Sequence, residues 1–243
     1  MLTTVLVLAL TTGGLQAPAL SDADRREALQ QYQLGMALLA SEQWEKAETA
    51  FRASIGRDEL FTDAHYGLGR ALMGQERFAE AVRAYEGCLD AARALFSLRE
   101  KDRVAADQRV IDQSRALREA VVQIRRQKGQ QTENQVLQIE ARIRELERSR
   151  TGMAGRFEPP PQVLLALGSA HFRNGDADDA RVNWEAAVAG NPKLGEGWNN
   201  LAVEYMREGR KGDAERAVKN AEGAGFRVNP RLKADIAAMR PAV

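Results

Sequence analysis

Side chains that could perform chemistry are few in this chain and do not cluster. Cys88 is its single cysteine, and His65 and His171 are its two histidines. A cysteine acts as a nucleophile when a histidine and an acid lie beside it, and His65 is the histidine nearer to Cys88 in the sequence. All three residues, however, occupy places in a regular apolar pattern where packing side chains are expected. We therefore interpret them as structural residues.

Metal-binding and phosphate-binding motifs are missing from the sequence. One cysteine and two histidines cannot build a zinc site of the usual kind, and one cysteine cannot form an internal disulfide. The acidic cluster at residues 176–179 lacks the spacing and terminal Glu of a calcium loop, and Asp176 is better placed to cap a helix. No phosphate-binding glycine loop, G-x-S-x-G motif or H-E-x-x-H motif occurs. We predict that the protein is not an enzyme and uses no metal or cofactor.

The composition favours helices and gives no general attraction for nucleic acid. Apolar residues make up 44% of the 243 residues, charged residues 28% and aromatic residues 6%, with only 7 prolines. The 35 Lys and Arg balance 34 Asp and Glu, which leaves no strong field. Residues 91–150 carry 14 basic and 9 acidic side chains. Because the two signs are interspersed, a solvated helical surface explains this segment better than nucleic-acid binding.

The N-terminal segment indicates export. Residues 1–20 carry no charged side chain, and their apolar run at 5–10 is too short for a membrane span, which needs about 20 apolar residues. Ala17 and Ala19 form the small-x-small pattern of a signal-peptide cleavage site, although no Lys or Arg precedes the apolar run. We interpret residues 1–19 as a signal peptide and expect a periplasmic protein. A retained membrane anchor, which alone would bring membrane contact, and a cytosolic tail are the alternatives.

A 34-residue repeat organises most of the chain. Four Leu-Gly or Leu-Ala pairs begin at Leu34, Leu68, Leu167 and Leu201, with spacings of 34, 99 and 34 residues. An alanine stands thirteen residues after each leucine, and four residues further on come Phe51, Tyr85, Trp184 and Val218. Small residues at fixed places let two helices approach closely, and apolar residues at three- and four-residue steps form a helical stripe. The pattern therefore predicts pairs of helices.

These residues resemble the tetratricopeptide repeat, a 34-residue helix-turn-helix unit that stacks into an α-solenoid. The resemblance covers two units over 28–92 and two over 161–228. It implies that the first helices line a concave groove for protein or peptide partners. The residues that it places in this groove are Tyr32, Met36, Leu39, Tyr66, Arg70, Met73, Leu165, Ser169, Phe172, Arg173, Asn199, Val203, Met206 and Arg207. The alternative is that some of them pack against inserted helices. The Lys/Asn clamp that some members use for C-terminal carboxylates is not evident, since Tyr32 and Met36 stand at its first two places.

The 99-residue spacing exceeds one repeat by 65 residues, and this insertion predicts a helical hairpin over 93–150. Neither Gly nor Pro occurs in 88–128 or in 130–151, which is typical of long helices. Apolar residues in both stretches follow the seam spacing of a coiled coil. Folding the chain back at Gly129 makes the facing pairs Ile124 with Val136, Val121 with Ile139, Leu117 with Ile143 and Ser114 with Leu146. We expect the first arm to continue the second helix of repeat two and the hairpin to project from the array.

Two further segments complete the predicted organisation. Residues 151–160 contain two glycines and two prolines and are typical of a linker that leads to the third repeat. Residues 229–240 predict a C-terminal capping helix, which Asn229 and Pro230 can start. Its covering face would be formed by Leu232, Ile236, Ala237 and Met239.

The expected fold class is an all-α solenoid of tetratricopeptide helix pairs, interrupted by a long antiparallel, coiled-coil-like hairpin. The expected function is a non-catalytic scaffold that binds protein or peptide partners through the groove and the hairpin, without nucleic acid or a cofactor. The alternative is an accessory subunit of an exported enzyme or of an envelope assembly complex, which forms homo-oligomers through the hairpin.

The export hypothesis predicts a mature chain that begins at or near Leu20. Cleavage after Ala19 removes the uncharged apolar segment and leaves the repeats whole. Intact-mass measurement of protein from the exported fraction of the host should give the chain without its first 19 residues. A soluble cytosolic protein that keeps Met1 would contradict export.

Overall fold

The computed structural model describes residues 20–126, 130–148, 150 and 155–239, and the regular structure within these ranges is helical. The helices in chain order are α1 (Asp22–Ala40), α2 (Trp44–Arg57), α3 (Thr62–Gly74), α4 (Phe78–Arg126), α5 (Gln130–Arg148), α6 (Pro161–Asn174), α7 (Ala177–Gly190), α8 (Gly195–Arg207), α9 (Lys211–Gly223) and α10 (Pro230–Ala238). The predicted signal peptide, the hairpin tip at Gly129 and much of the predicted linker lie outside the described residues.

Eight of these helices form four pairs that stack in chain order. α1 packs on α2, α3 on the first part of α4, α6 on α7, and α8 on α9. Successive pairs meet through α2 and α3, α4 and α6, and α7 and α8. The contact between α4 and α6 joins the second pair directly to the third, so the stack continues across the insertion. The predicted all-α solenoid of helix pairs, interrupted by a helical insertion, is confirmed.

Small residues mark the closest approach of the two helices in each pair. In the first three pairs an aromatic ring of the second helix covers a glycine of the first. A methyl group added to Gly35, Gly69 or Gly168 would lie 2.7, 2.5 or 2.6 Å from Phe51, Tyr85 or Trp184, respectively. The fourth pair has Ala202 and Val218 at these places, both buried in one apolar cluster. A larger residue on the first helix thus goes with a smaller one on the second, which keeps the packed volume similar.

The turn within each pair places one residue in the left-handed region. Gly175 (φ 98°) and Gly209 (φ 76°) hold this place in the last two pairs, whereas Glu42 (φ 56°) and Glu76 (φ 59°) hold it in the first two. Glycine adopts this conformation without steric cost, whereas a residue with a Cβ loses about 1–2 kcal/mol. The sequence therefore marks the last two turns more clearly than the first two.

The two predicted helix caps have different outcomes. Asn229 caps α10, because its side chain accepts a hydrogen bond from the backbone N–H of Arg231 at 2.9 Å. Asp176 precedes α7, but its side chain makes no capping hydrogen bond, so that prediction is wrong. Its carboxylate instead accepts from Nδ2 of Asn174 at 2.6 Å and lies 3.5 Å from Nδ1 of His171. It fixes the turn after α6 rather than the start of α7.

One polar contact recurs between successive pairs with its charges exchanged. Glu48 of α2 accepts hydrogen bonds from Gln75 at 2.9 Å and from Arg77 at 2.5 Å, in the turn before α4. At the same repeat places in the last two pairs, Arg181 of α7 forms an ion pair with Glu208 at 2.9 Å. The stacking of the pairs fixes where this contact lies. The residue on the second helix can be acidic or basic, provided that the following turn supplies a partner for it.

α4 runs without a break from the second repeat into the insertion. Its 49 residues span roughly 73 Å. α5 packs on its distal part, and two ion pairs join these helices, Arg118 with Glu147 and Arg125 with Glu140. The partner of the higher-numbered arginine is the lower-numbered glutamate, so the two helices are antiparallel. They form the expected helical hairpin.

The predicted seam is buried between α4 and α5. Val121, Val136 and Ile143 are each no more than 7% exposed, and Ser114 is 2% exposed. The hydroxyl of Ser114 has no hydrogen-bond partner in the described part of the chain. Because a buried polar group without a partner costs about 1–3 kcal/mol, the seam is weakest at this level.

The chain returns to the stack along α4. The ring of Phe157 lies 5.7 Å from that of Phe96, and the guanidinium of Arg93 lies 5.5 Å above the Phe157 ring. Pro161 then begins α6, which packs on the first part of α4. These contacts bring the third repeat back beside the second.

α10 covers the apolar face of the last pair. Ile236 is buried, and Leu232 and Met239 pack against the same cluster. Nζ of Lys211 donates hydrogen bonds to the carbonyl oxygens of Ala237 and Met239, at 2.6 and 2.9 Å. The prediction that Ala237 belongs to the covering face is wrong, since this residue is exposed. Only its carbonyl group takes part in the contact.

The glycine–aromatic crossing predicts opposite effects for two Gly→Ala substitutions. Gly168→Ala should destabilise the fold by about 1–3 kcal/mol, because the added methyl group meets the Trp184 ring and the carbonyl oxygen of Ala180. Gly212→Ala, the matched control, has open space around it and should stabilise α9 by about 0.5–1 kcal/mol. Denaturant unfolding measures both. In a Trp184→Val background Gly168→Ala should lose the part of its penalty that comes from the ring and keep the part that comes from the Ala180 carbonyl oxygen, and a penalty of the same size there would rule out the crossing.

Candidate functional site

A cavity of about 470 Å³ lies between α3 and α6, on the face formed by the first helices of the pairs. We refer to it as the α3/α6 cavity. α3 contributes Tyr66, Arg70, Met73 and Gly74, and α6 contributes Gln162, Leu165, Ala166, Ser169 and Arg173. Neighbouring helices complete the wall with Leu39, Trp44, Tyr85 and Glu196.

Helical spacing brings the cavity side chains to one face of α3 and one face of α6. On α3 they follow at steps of four and three residues, and on α6 Leu165, Ser169 and Arg173 follow at steps of four. α3 and α6 line the same cavity because both pack on the first part of α4. Residues almost 100 positions apart in the sequence therefore share one cavity.

Two arginines and one glutamate give the cavity its charge. The guanidinium of Arg173 lies 4.6 Å from the centre of the Phe78 ring, which holds it in a cation–π contact. Arg70 comes from α3, and Glu196 comes from the first turn of α8. The three side chains leave the cavity with one net positive charge.

Two tyrosines lie beside these charges. The rings of Tyr66 and Tyr85 are 5.6 Å apart, and Tyr85 is only 3% exposed because its ring packs over Gly69. Burial raises the pKa of both phenols, and the positive charge of Arg70 opposes this rise. Both groups therefore keep their protons at neutral pH and can donate hydrogen bonds.

We predict that ten of the fourteen groove residues, all except Leu39, Leu165, Ser169 and Val203, contact the partner, and the structure brings four of these ten into this cavity. They are Tyr66, Arg70, Met73 and Arg173. Leu39, Leu165 and Ser169, which the resemblance also placed in the groove, line it as well. That these residues bind a partner stays a prediction.

The other six predicted residues lie elsewhere on the first helices, and several of them pack within the repeats. Tyr32 contacts the rings of Phe51 and Phe61, with centres 6.1 and 5.0 Å away. Phe172 lies 5.5 Å from the Trp184 ring. The remaining members of this group are Met36 and Met206, which are half-buried against the apolar clusters, the half-buried Asn199, and Arg207.

Arg207 has an internal partner that its sequence position did not suggest. It donates to both carboxylate oxygens of Glu204, at 3.1 and 2.9 Å, and Glu204 is 1% exposed. The second and third pairs have Ala71 and Ala170 at the place of Glu204. A buried carboxylate needs a paired charge, so Arg207 stabilises α8 and is less available to a partner.

Sequence reasoning missed several cavity residues. The repeat pattern assigns Tyr85 only to the helix crossing. It predicts no groove role for Trp44, which begins a second helix, or for Glu196, which lies in the first turn of α8. One signal was available: Gly74 follows Met73 on α3, and an added Cβ there would lie 2.6 Å from the Trp44 ring. A glycine at the end of a first helix thus marks the approach of Trp44.

Cys88 and His65 have structural partners. Sγ of Cys88 donates to the carbonyl oxygen of Thr62 at 3.2 Å, and burial, aided by Asp63, raises the pKa of this thiol to about 11. Nε2 of His65 lies 2.9 Å from the carbonyl oxygen of Glu59. At neutral pH Cys88 is a buried thiol rather than a reactive thiolate.

Metal-binding clusters and membrane-spanning helices are both absent from the residues that the structure describes. In these ranges no group of three or more His, Cys, Asp or Glu is arranged to hold a metal ion. Likewise, none of the described helices is both long enough and apolar enough to cross a bilayer.

Comparisons with known proteins agree with this architecture. MamA superposes with a TM-score of 0.52 over 84% of this chain and 81% of its own, at 13% identity, which shows a shared fold. TTC0263, a thermophilic TPR protein of Thermus thermophilus, aligns over 87% of this chain and 98% of its own, with a TM-score of 0.33 and 18% identity. A search of curated protein sequences gives no match. The tetratricopeptide repeat model matches residues 32–95 and 165–225, just over half of the sequence, on either side of the hairpin. The chain therefore belongs to the tetratricopeptide repeat family.

Proposed function

We propose that this protein is a non-catalytic scaffold that binds a peptide or protein partner in the α3/α6 cavity. The observation that carries the proposal is the composition of the cavity wall, where aromatic residues, Met73 and two arginines of successive repeats converge. Aromatic residues, Met and Arg are enriched at protein-binding surfaces.

The wall can hold a peptide in two ways. Leu39, Met73 and Leu165 offer apolar surface to side chains, which favours binding by removing that surface from water. Arg70 and the tyrosine hydroxyls offer donors to peptide oxygens. A polar peptide group that enters the cavity can therefore replace its hydrogen bonds to water with hydrogen bonds to the protein.

Export to the periplasm is part of the proposal. It is supported by the uncharged segment at residues 1–19 and by the Ala17-Pro-Ala19 site, with membrane anchoring as the alternative. In the periplasm the partner would be another exported protein or a peptide segment of one.

Filling the cavity should abolish partner binding. Ser169 is half-buried in the cavity wall, so Ser169→Trp should place an indole where the partner binds. Val182→Trp adds the same side chain at a residue of α7 that is 55% exposed and does not line the cavity, and serves as the control. We expect a partner captured from the exported fraction to bind wild type and Val182→Trp equally in calorimetry, and Ser169→Trp at least about tenfold more weakly. Equal affinity for all three proteins, each folded by circular dichroism, would place the binding site elsewhere.

A second candidate function is homo-oligomerisation through the hairpin, as an accessory subunit of a larger complex. The seam itself packs within one chain, since Val121 and Ile143 are buried between α4 and α5. An oligomer would therefore have to use outer residues of the hairpin. Val122 and Leu137, which are 51% and 60% exposed, favour this possibility.

Sedimentation velocity at micromolar concentration tests this second candidate. It predicts a dimer for the wild type and a monomer for Leu137→Glu, because the introduced carboxylate would be buried in the contact. Gln113→Glu, at an exposed polar residue of α4, controls for the change in charge. A wild-type protein that sediments as a monomer would count against it.

A further inference from the structure

The arginines of the α3/α6 cavity differ from most arginines of the repeats in their partners. Arg52, Arg57, Arg77, Arg181 and Arg210 each lie within 4.0 Å of a carboxylate oxygen. Among the described residues Arg70 and Arg173 have no such partner, although Glu196 lies in the same cavity wall. Two guanidinium groups in one cavity thus remain available to a ligand, and Arg173 is also held in place by Phe78.

The hydroxyl of Tyr85 supplies a second, independent observation. The residue is only 3% exposed, and its ring packs over Gly69 and lines the cavity. None of the side-chain hydrogen bonds between described residues uses this hydroxyl, and it is not among the buried atoms without a partner. The hydroxyl is therefore open to the cavity and can donate a hydrogen bond to a ligand there.

We propose that the α3/α6 cavity binds an internal acidic segment of a partner peptide, with an Asp or Glu carboxylate held by Arg70 and Arg173 and hydrogen-bonded by the hydroxyl of Tyr85. This inference rests on the proposed peptide-binding function and names the chemistry of its ligand. The carboxylate accepts hydrogen bonds and the cavity supplies donors. The residues that flank the acidic side chain pack against Leu39 and Met73 on one side and Leu165 on the other.

The charge balance favours a single carboxylate. Two arginines and Glu196 leave one net positive charge, which a monoanionic side chain neutralises. A basic segment would meet two positive charges, and a neutral segment would leave both guanidinium groups and the Tyr85 hydroxyl without an acceptor. Apolar residues lie on both sides of the two arginines. This arrangement favours an acidic residue with a neighbour on each side, as in the interior of a peptide, over a carboxylate at the end of a chain.

Degenerate peptide pools test this assignment. Three rhodamine-labelled nine-residue pools carry central Leu-Glu-Leu with an amidated C-terminus, Leu-Gln-Leu with an amidated C-terminus, or Leu-Gln-Leu with a free C-terminal carboxylate. Fluorescence anisotropy should show the Glu pool binding about tenfold more tightly than either Gln pool. Raising the salt concentration should weaken the Glu pool selectively.

Variants then locate the interaction. Arg70→Gln and Arg173→Gln should each remove most of the preference for Glu, whereas Arg227→Gln, which removes the same charge from an exposed residue outside the cavity, should preserve it. Tyr85→Phe keeps the ring over Gly69 and should reduce the affinity for the Glu pool about threefold to tenfold. Thermal unfolding checks each variant, since Arg173 also packs on Phe78.

The outcomes separate this inference from the proposed function. Equal binding of all three pools, lost in Ser169→Trp, would overturn the acidic segment and leave the peptide-binding cavity standing. Preference for the free C-terminal carboxylate would overturn the internal segment. A Glu preference that survives in both cavity arginine variants would also overturn the assignment. Binding of no pool would count against this inference and against the cavity as a peptide site.

Discussion

The contact between α4 and α6 is the interaction on which the rest of this molecule depends. A stacked array needs each helix pair to cover the apolar face of the one before it, and the insertion separates the second pair from the third in the sequence. Val163, Leu167 and Ala170 of α6 share one apolar cluster with Ala81, Tyr85 and Cys88 of α4, which closes this gap. Without that cluster each half of the array would have two pairs and an uncovered face. The α3/α6 cavity would not exist, because its two main walls come from opposite sides of the insertion.

The insertion is compatible with the stack because its first helix is already part of it. α4 leaves the array in the same helical phase in which it packs, so no turn has to be accommodated at the junction. Packing of α5 on α4 then buries the apolar seam of the hairpin. The contact between Phe157 and Phe96 holds the returning chain against α4. The first helix pair differs from the later pairs in how far its apolar residues are covered. Leu34 of the first pair is 50% exposed, whereas Leu68 at the same place in the second pair is 6% exposed, because no described helix pair precedes α1.

The same repeat position carries different side chains when the geometry demands only a volume or a charge partner. Gly168 with Trp184 and Ala202 with Val218 fill similar crossings, and Glu48 and Arg181 both reach the turn of the following pair. The candidate site also depends on which side chain stands at a repeat position. The Tyr85 ring serves the crossing in its own pair, while its hydroxyl is left to the cavity. A residue can therefore belong to the core and to the candidate site at once.

The sequence by itself determined the elements and their pairing. The 34-residue spacing of small and apolar residues predicts four helix pairs, and the long stretches without Gly or Pro predict the two arms of the hairpin, because both features are local consequences of helical geometry. The resemblance to the tetratricopeptide repeat also predicts Tyr66, Arg70, Met73 and Arg173 as groove residues. Only the tertiary structure decided which candidates share a cavity and which are occupied elsewhere. Arg207 and Arg173 hold the same place in successive repeats, yet Arg207 pairs with the buried Glu204, whereas Arg173 packs on Phe78 of a different pair. The repeat pattern fixes where a side chain starts on its helix, but its partner comes from neighbouring helices, whose residues differ from one repeat to the next.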